Sequence, residues 1–373
     1  MSTTTLRRRW RHLSLLQIAG ALSVIGFHVG IPYSQSGWIA VELFFVVAGM
    51  NMARALDDDQ SIWSYALSRA KRFWPEVSLI WWAAVVLVAS GLGSPGMLWF
   101  MVACPVFQQN LTLPFFEYTF PRDFVFGPLW FVGALLQIQI LIFALRNVLL
   151  RTRPEITVLI SVIAGTLSRF FVAALFGQSR GDLGSREAVA LYCLPLTHVE
   201  AIMIGLLMGR GCLRGMGRFL LLFCALAVAF GAMNVVLSHG AVSSRSLGFE
   251  LPLRLNYMHV WGYALLAFAA ASLCSPTGPL AVAVEAVKLP RWAEHILSRL
   301  SSLTYGAYAF HGIIIATGLN ASLFLERPHA PVLRLILFSI TVLESFFLAW
   351  VFDLMKQAFP KRPLERAGSQ QLT

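Results

Sequence analysis

Charge is what this chain has least of. Only 13% of its 373 residues are Asp, Glu, Lys or Arg, about half the share of an ordinary soluble domain. That shortage excludes a freely soluble globular protein. Segments of alternating apolar and polar residues are also missing, which excludes a transmembrane β-barrel. Cysteine is sparse. Cys104, Cys193, Cys212, Cys224 and Cys274 sit in or beside apolar runs, with no disulfide-framework or metal-ligand spacing. They read as small buried hydrophobes, and no metal site is expected. Internal repeats and low-complexity tracts are likewise lacking.

What the chain does have is long apolar runs, 57% of its residues being hydrophobic. The reading is an all-α, polytopic integral membrane bundle of about ten transmembrane helices. The spans fall at 13–31, 38–55, 76–93, 128–148, 156–176, 188–209, 219–238, 257–274, 302–324 and 331–355. The apolar stretch 97–107 is too short to cross. The segment MSTTTLRRRWRHLSLLQIAG is read as the start of a retained first helix, because no small-residue cleavage site closes its apolar run.

The net charge of +11 does not point to nucleic acid, because the basic residues cluster between apolar runs. With the N-terminus inside, 21 of the 29 Lys and Arg residues fall on one side and seven on the other, with Arg169 inside a span. This bias makes the rich side cytoplasmic and puts both termini there. Residues 1–12 are then a basic cytoplasmic N-terminus, 13–355 a single membrane domain, and 356–373 a polar cytoplasmic tail. The long opposite connection, 94–127, holds TLPFFEYTFPRDFVFG, whose Pro and aromatic content suggests an ordered lid or surface loop.

Ionisable groups inside spans are costly, so each is a candidate for function and, equally, for pinning helices together. His28 and Glu42 flank the short break IPYSQSG. Both lie about 4–6 Å from the same membrane face on adjacent antiparallel helices. A hydrogen bond between them would make His28 a better general base. Tyr305, Tyr308 and His311 share one helix face. Pro195 is expected to kink a span that also holds Thr197, His198 and Glu200. His198 and Glu200 point apart, so each needs a partner on another helix or a water-filled cavity. Arg69, Lys71 and Arg72 form a basic cluster before Pro75, suited to lipid phosphates or to those of a cytoplasmic donor. Gln137, Gln139, Arg169, His259 and Glu344 are further intramembrane polar residues without an assigned role.

The stretches ALSVIGFHVG, GWIAVELFFVVAGM, RAKRFWP, GPLWFVGALL, THVEAIMIGLLMG and SLTYGAYAFHGIII occur in an order and spacing that resembles the acyltransferase-3 family, over residues 13 to 355. That resemblance implies an integral membrane enzyme moving acetyl or other acyl groups onto sugars of the cell envelope. It implies His28 as the catalytic histidine, with Glu42 where the family usually has Asp. Arg69 and Arg72 would face an acyl-CoA donor such as acetyl-CoA. Trp130, His198, Glu200, Tyr305 and His311 become candidate residues of the active-site cavity.

Gln17, Ser14, Ala48 and His198 stand where the family usually has arginine, an acidic residue, serine and arginine, which marks a divergent member. The implied partners are acyl-CoA, a carbohydrate or lipid-linked glycan and membrane lipid, with no permanently bound cofactor. The implied location is a bacterial inner membrane. Two rivals remain open on the residues alone. One is a proton-coupled transporter or flippase using His28, Glu42, His198 and Glu200. The other is a scaffold without catalysis.

Overall fold

The computed structural model describes residues 10–91, 95–114, 122–176, 186–239, 242, 246–249, 258–317 and 331–358. The basic residues Arg7, Arg8 and Arg9, residues 115–121 of the expected lid and residues 359–373 lie outside the described residues, as does the His259 side chain. All regular structure among the described residues is helical. In chain order the helices are α1 Arg11–Val29, α2 Ala40–Met52, α3 Ile62–Ala89, α4 Pro95–Ala103, α5 Gln109–Thr112, α6 Trp130–Ala144, α7 Arg146–Arg151 and α8 Pro154–Phe176. They continue with α9 Arg186–Cys193, α10 Val199–Gly209, α11 Leu220–Leu237, α12 Tyr263–Cys274, α13 Pro279–Ala286, α14 Arg291–Ala316 and α15 Pro331–Ala358.

Eight stretches are long and apolar enough to cross a membrane, or nine if the pair Glu187–Cys193 and Pro195–Gly209, bent by 64°, is one broken span. The chain is a multi-pass helical membrane protein. The remaining expected span corresponds to α14. Its 26 residues are enough to cross, but Arg291, Glu294 and Arg299 open it and a polar stripe from Ser301 to His311 follows. It survives by packing against α1 and α15. The break at Pro195 is where the sequence put a kink: proline removes a backbone donor and its ring clashes one turn back.

Two boundaries differ from expectation. The eighth apolar stretch runs on through α13, to Ala286. The third helix starts at Ile62, not at residue 76, and Pro75 sits inside it. Ser61 caps it, its hydroxyl accepting from the Ser64 N–H at 3.1 Å. Arg69, Lys71 and Arg72 are therefore helical. Their charges break the apolar run that a hydropathy reading follows, while nothing in them breaks a helix.

Ion pairs tie the basic ends of the helices together: Arg11 to Glu285 at 3.2 Å, Arg299 to Asp353 at 2.5 Å, and Lys356 to Glu76. At the other end Gly30 closes α1 in the left-handed conformation (φ 71°), which glycine adopts without strain.

The tightest helix pair is α2 with α10. A Cβ placed on Gly49 would lie 2.1 Å from the Ile202 carbonyl oxygen, and one on Gly205 would lie 2.0 Å from that of Val46. Small residues let membrane helices approach backbone to backbone, which is where their packing energy comes from. Gly205→Leu is expected to force the pair apart at a cost of about 1–3 kcal/mol, seen as a lower unfolding midpoint in detergent. Gly215→Ala is the control, because its added Cβ meets nothing nearer than 3.6 Å.

Candidate active site

At the basic end a cavity of about 130 Å³ opens between α1, α2, α3, α6 and α14. Arg69 and Arg72, three residues apart and so on one face of α3, stand on its wall with Gln17 and Asn51. The wall is otherwise largely apolar: Phe44, Val47, Ala48, Phe73, Phe131 and Leu135 line it, with Gln139, Thr304, Tyr305 and Tyr308 as its further polar members. Gln17 accepts a hydrogen bond from the Ser301 hydroxyl at 2.9 Å. A neutral side chain is therefore held at this point of the wall. Of the expected cavity residues, Tyr305 lines this cavity, as do both expected donor-binding arginines.

Tyr308 closes the inner end. Its ring packs edge-on to Phe44 and Phe131, with centroids 5.9 and 5.5 Å away. One turn further along α14 comes buried His311, whose Nδ1–H donates to the Tyr308 carbonyl. That bond fixes the tautomer, so in the neutral ring Nε2 is the basic nitrogen. His311 stacks on His28, with centroids 5.2 Å apart and planes at 29°. His28, two residues before the Gly30 cap, is half-buried. It is the more exposed member of the pair.

The expected His28–Glu42 bond does not form. Glu42 Oε1 is bonded at 2.6 Å to Nδ1 of His198, and the other ring nitrogen of His198 donates to the Tyr192 carbonyl at 2.8 Å. One proton lies between Nδ1 and Oε1, so the pair carries no net charge wherever that proton sits. The reason is azimuth. Glu42, Phe45 and Gly49 recur at helical spacing on the face of α2 toward α10, whereas Phe44, Val47, Ala48 and Asn51 form the cavity face. Equal depth put His28 and Glu42 level, but rotation about the α2 axis turned Glu42 away.

Glu200, likewise expected near the cavity, pairs with Arg169 of α8 at 2.6 Å. The same Arg169 nitrogen donates to the Thr197 carbonyl at 2.6 Å, and the guanidinium lies over the Tyr263 ring. A Cβ on Gly165 would lie 2.1 Å from Glu200 Oε2, so glycine makes room for this pair. Both pairs are fully buried. Trp130 belongs here too, its ring 5.7 Å from that of His198 and 4.5 Å from that of Tyr192.

Trp130, His198 and Glu200 therefore lie in a second polar cluster. Phe45 stacks on His198 at 4.7 Å and packs against Phe131 at 4.8 Å, which puts an aromatic layer between that cluster and the cavity. The sequence left a partner on another helix or a water-filled cavity open for His198 and Glu200, and the structure gives each a partner; Arg169 was visible as a lone intramembrane cation. Nothing local in the sequence joined Arg169 to Glu200 or Glu42 to His198, since the pairs are 31 and 156 residues apart. Among the described residues no group of His, Cys, Asp and Glu could hold a metal ion.

Against known proteins, the acyltransferase-3 family model, described as an acyltransferase domain, matches residues 11–352. No curated protein and no solved structure matches the chain. A family model covering nearly the whole chain, on a helical membrane bundle with a basic-mouthed cavity running toward a histidine pair, leads to one conclusion: this protein belongs to the acyltransferase-3 family and is a membrane acyltransferase.

Proposed function

We propose that the enzyme takes an acetyl group from acetyl-CoA at the cytoplasmic face of a bacterial inner membrane. It delivers that group to a hydroxyl of a cell-envelope or exported glycan or glycolipid. The observation that carries this reading is the alignment of three features on α14. Tyr305 and Tyr308 line the cavity that holds Arg69 and Arg72, and His311, one turn beyond Tyr308, stacks on His28. Along the helix the step from Tyr308 to His311 is about 4.5 Å. The thioester at the inner end of the cavity is then within a side-chain movement of the histidines. From Gln17 on the cavity wall to His28 is 11 residues of α1, about 16 Å.

In this reading the phosphates of CoA meet Arg69 and Arg72, and the arm carries the thioester between Phe44, Phe131 and Tyr308. His28 takes the proton of the acceptor hydroxyl as its oxygen attacks the thioester carbonyl. The C–S bond then breaks, and the departing thiolate receives the proton that His28 took. Glu42 acts at a distance. Its bond to His198 fixes α2 against α10 and so holds Phe44 in the cavity wall.

A bend such as that between α9 and α10 also occurs in transporters, but the family is one of acyltransferases. The deciding experiment supplies labelled acetyl-CoA and crude envelope glycan to membranes holding the protein. Label in the glycan is expected. Arg69→Ala and Arg72→Ala are each expected to raise the donor KM about tenfold or more with kcat little changed, as for loss of a charged contact to phosphate. Movement of glycan across the membrane without acetylation would refute the proposal.

A further inference from the structure

Three residues of the cavity wall each carry a buried polar atom with no hydrogen-bond partner among the described residues: Gln139 Oε1, Tyr305 Oη and Arg69 Nε. A buried polar group left unmet costs about 1–3 kcal/mol, so one cavity that gathers three is shaped for a ligand that meets them. Two residues earlier on the same helix, Gln137 shows the usual outcome. Its amide nitrogen donates to the Phe107 carbonyl at 3.0 Å and to Asn110 Oδ1 at 3.0 Å, and its oxygen accepts from Asn110 Nδ2 at 3.1 Å. Gln139 is 5% exposed, yet its oxygen faces no donor.

The chemistry of the unmet atoms narrows the ligand. Gln139 Oε1 is an acceptor only, and the Tyr305 hydroxyl can donate. They stand on different helices, α6 and α14, among Phe44, Val47, Phe131 and Leu135. An acceptor and a donor on separate walls of an apolar passage complement a secondary amide, whose N–H and C=O point in opposite directions.

We propose that Gln139 and Tyr305 hold an amide of the donor's pantetheine arm, the amide N–H donating to Gln139 Oε1 and the Tyr305 hydroxyl donating to the amide carbonyl. This rests on the reading of the donor as a CoA thioester. It adds that the cavity recognises the arm as well as the phosphates, so the two residues set how far along the cavity the thioester stops. Tyr305 thereby acquires a binding role, while Tyr308 and His311 beyond it serve the transfer step.

The test is equilibrium binding to the full-length protein purified in detergent. Two probes are used: CoA, and adenosine bisphosphate, the nucleotide half of CoA that lacks the arm. Gln139→Leu and Tyr305→Phe are each expected to weaken CoA binding about tenfold and to leave adenosine bisphosphate binding unchanged. Both substitutions keep an apolar-compatible shape in a membrane helix and should fold.

CoA affinity equal to wild type in both variants would overturn the inference. So would a fall in adenosine bisphosphate affinity that matches the fall for CoA, since that is what general damage to the cavity produces. A wild-type protein that binds neither probe would overturn the donor assignment itself, and this inference with it.

Discussion

Replacing Arg169 by leucine is expected to destabilise the bundle by about 3–5 kcal/mol, the usual cost of stranding one member of a buried ion pair. Arg169 and Glu200 are both fully buried and meet at 2.6 Å. The guanidinium also donates to the Thr197 carbonyl in the 3-10 turn that leads into α10. Without it Glu200 keeps a carboxylate in an apolar interior, and the turn loses the donor that anchors it to α8. The double variant Arg169→Leu with Glu200→Leu removes both charges, and its unfolding midpoint should recover most of the loss. Unfolding in detergent of the wild type, both single variants and the double variant completes the cycle. A double variant as unstable as the sum of the two singles would show that the residues act independently.

His28→Ala is expected to lower the rate of acyl transfer by about 10²–10⁴-fold, the range for a positioned general base. The loss should fall on kcat, with the donor KM and CoA affinity close to wild type, because His28 is not on the wall of the cavity that holds Arg69 and Arg72. His311→Ala should produce a smaller loss of the same kind. His311 is buried and stacks on His28, whereas His28 is the half-buried member of the pair and, in the proposed reaction, the one that meets the acceptor. Glu42→Gln separates the two polar clusters. If Glu42 acts through α2 packing, the variant lowers stability more than it lowers kcat. A kcat loss equal to that of His28→Ala in a protein of unchanged stability would restore Glu42 to the reaction centre. Quantifying labelled glycan and unfolding midpoints for the three variants decides between these outcomes.

Much of this was readable from local chemistry. Long apolar runs, scarce charge and clustered arginines are properties of short windows, and they fix a helical membrane bundle without any tertiary information. Pro195 could be assigned a break because proline in a helix interior removes a backbone donor and crowds the turn before it, although Pro75 sits inside α3 without ending it. Arg69, Lys71 and Arg72 were legible as a basic cluster ahead of the third span, while their place on one helix came from the structure.

The extent of α3 was less legible. Its charges lie inside the helix, and apolarity and helicity, which usually travel together in a membrane protein, part company there. α14 shows the converse, a buried helix whose polar stripe faces other helices and so weakens its apolar signal.

The sequence by itself determined which polar residues enter the membrane and roughly at what depth, because depth along a helix is only residue count times rise. It placed His28 and Glu42 level and left His198 and Glu200 in need of a partner or a water-filled cavity. Tertiary structure decided who meets whom. Rotation of α2 gave Glu42 to His198 and turned Phe44 into the cavity beside Arg69 and Arg72. The approach of α8 to α10 gave Glu200 to Arg169, and the packing of α14 against α1 brought His311 onto His28. Azimuth and helix neighbourhood arise from side chains far apart in sequence packing all at once, as at Gly49 and Gly205. No local window records them, and for that reason the membrane topology could be read directly while the pairing inside the site could not.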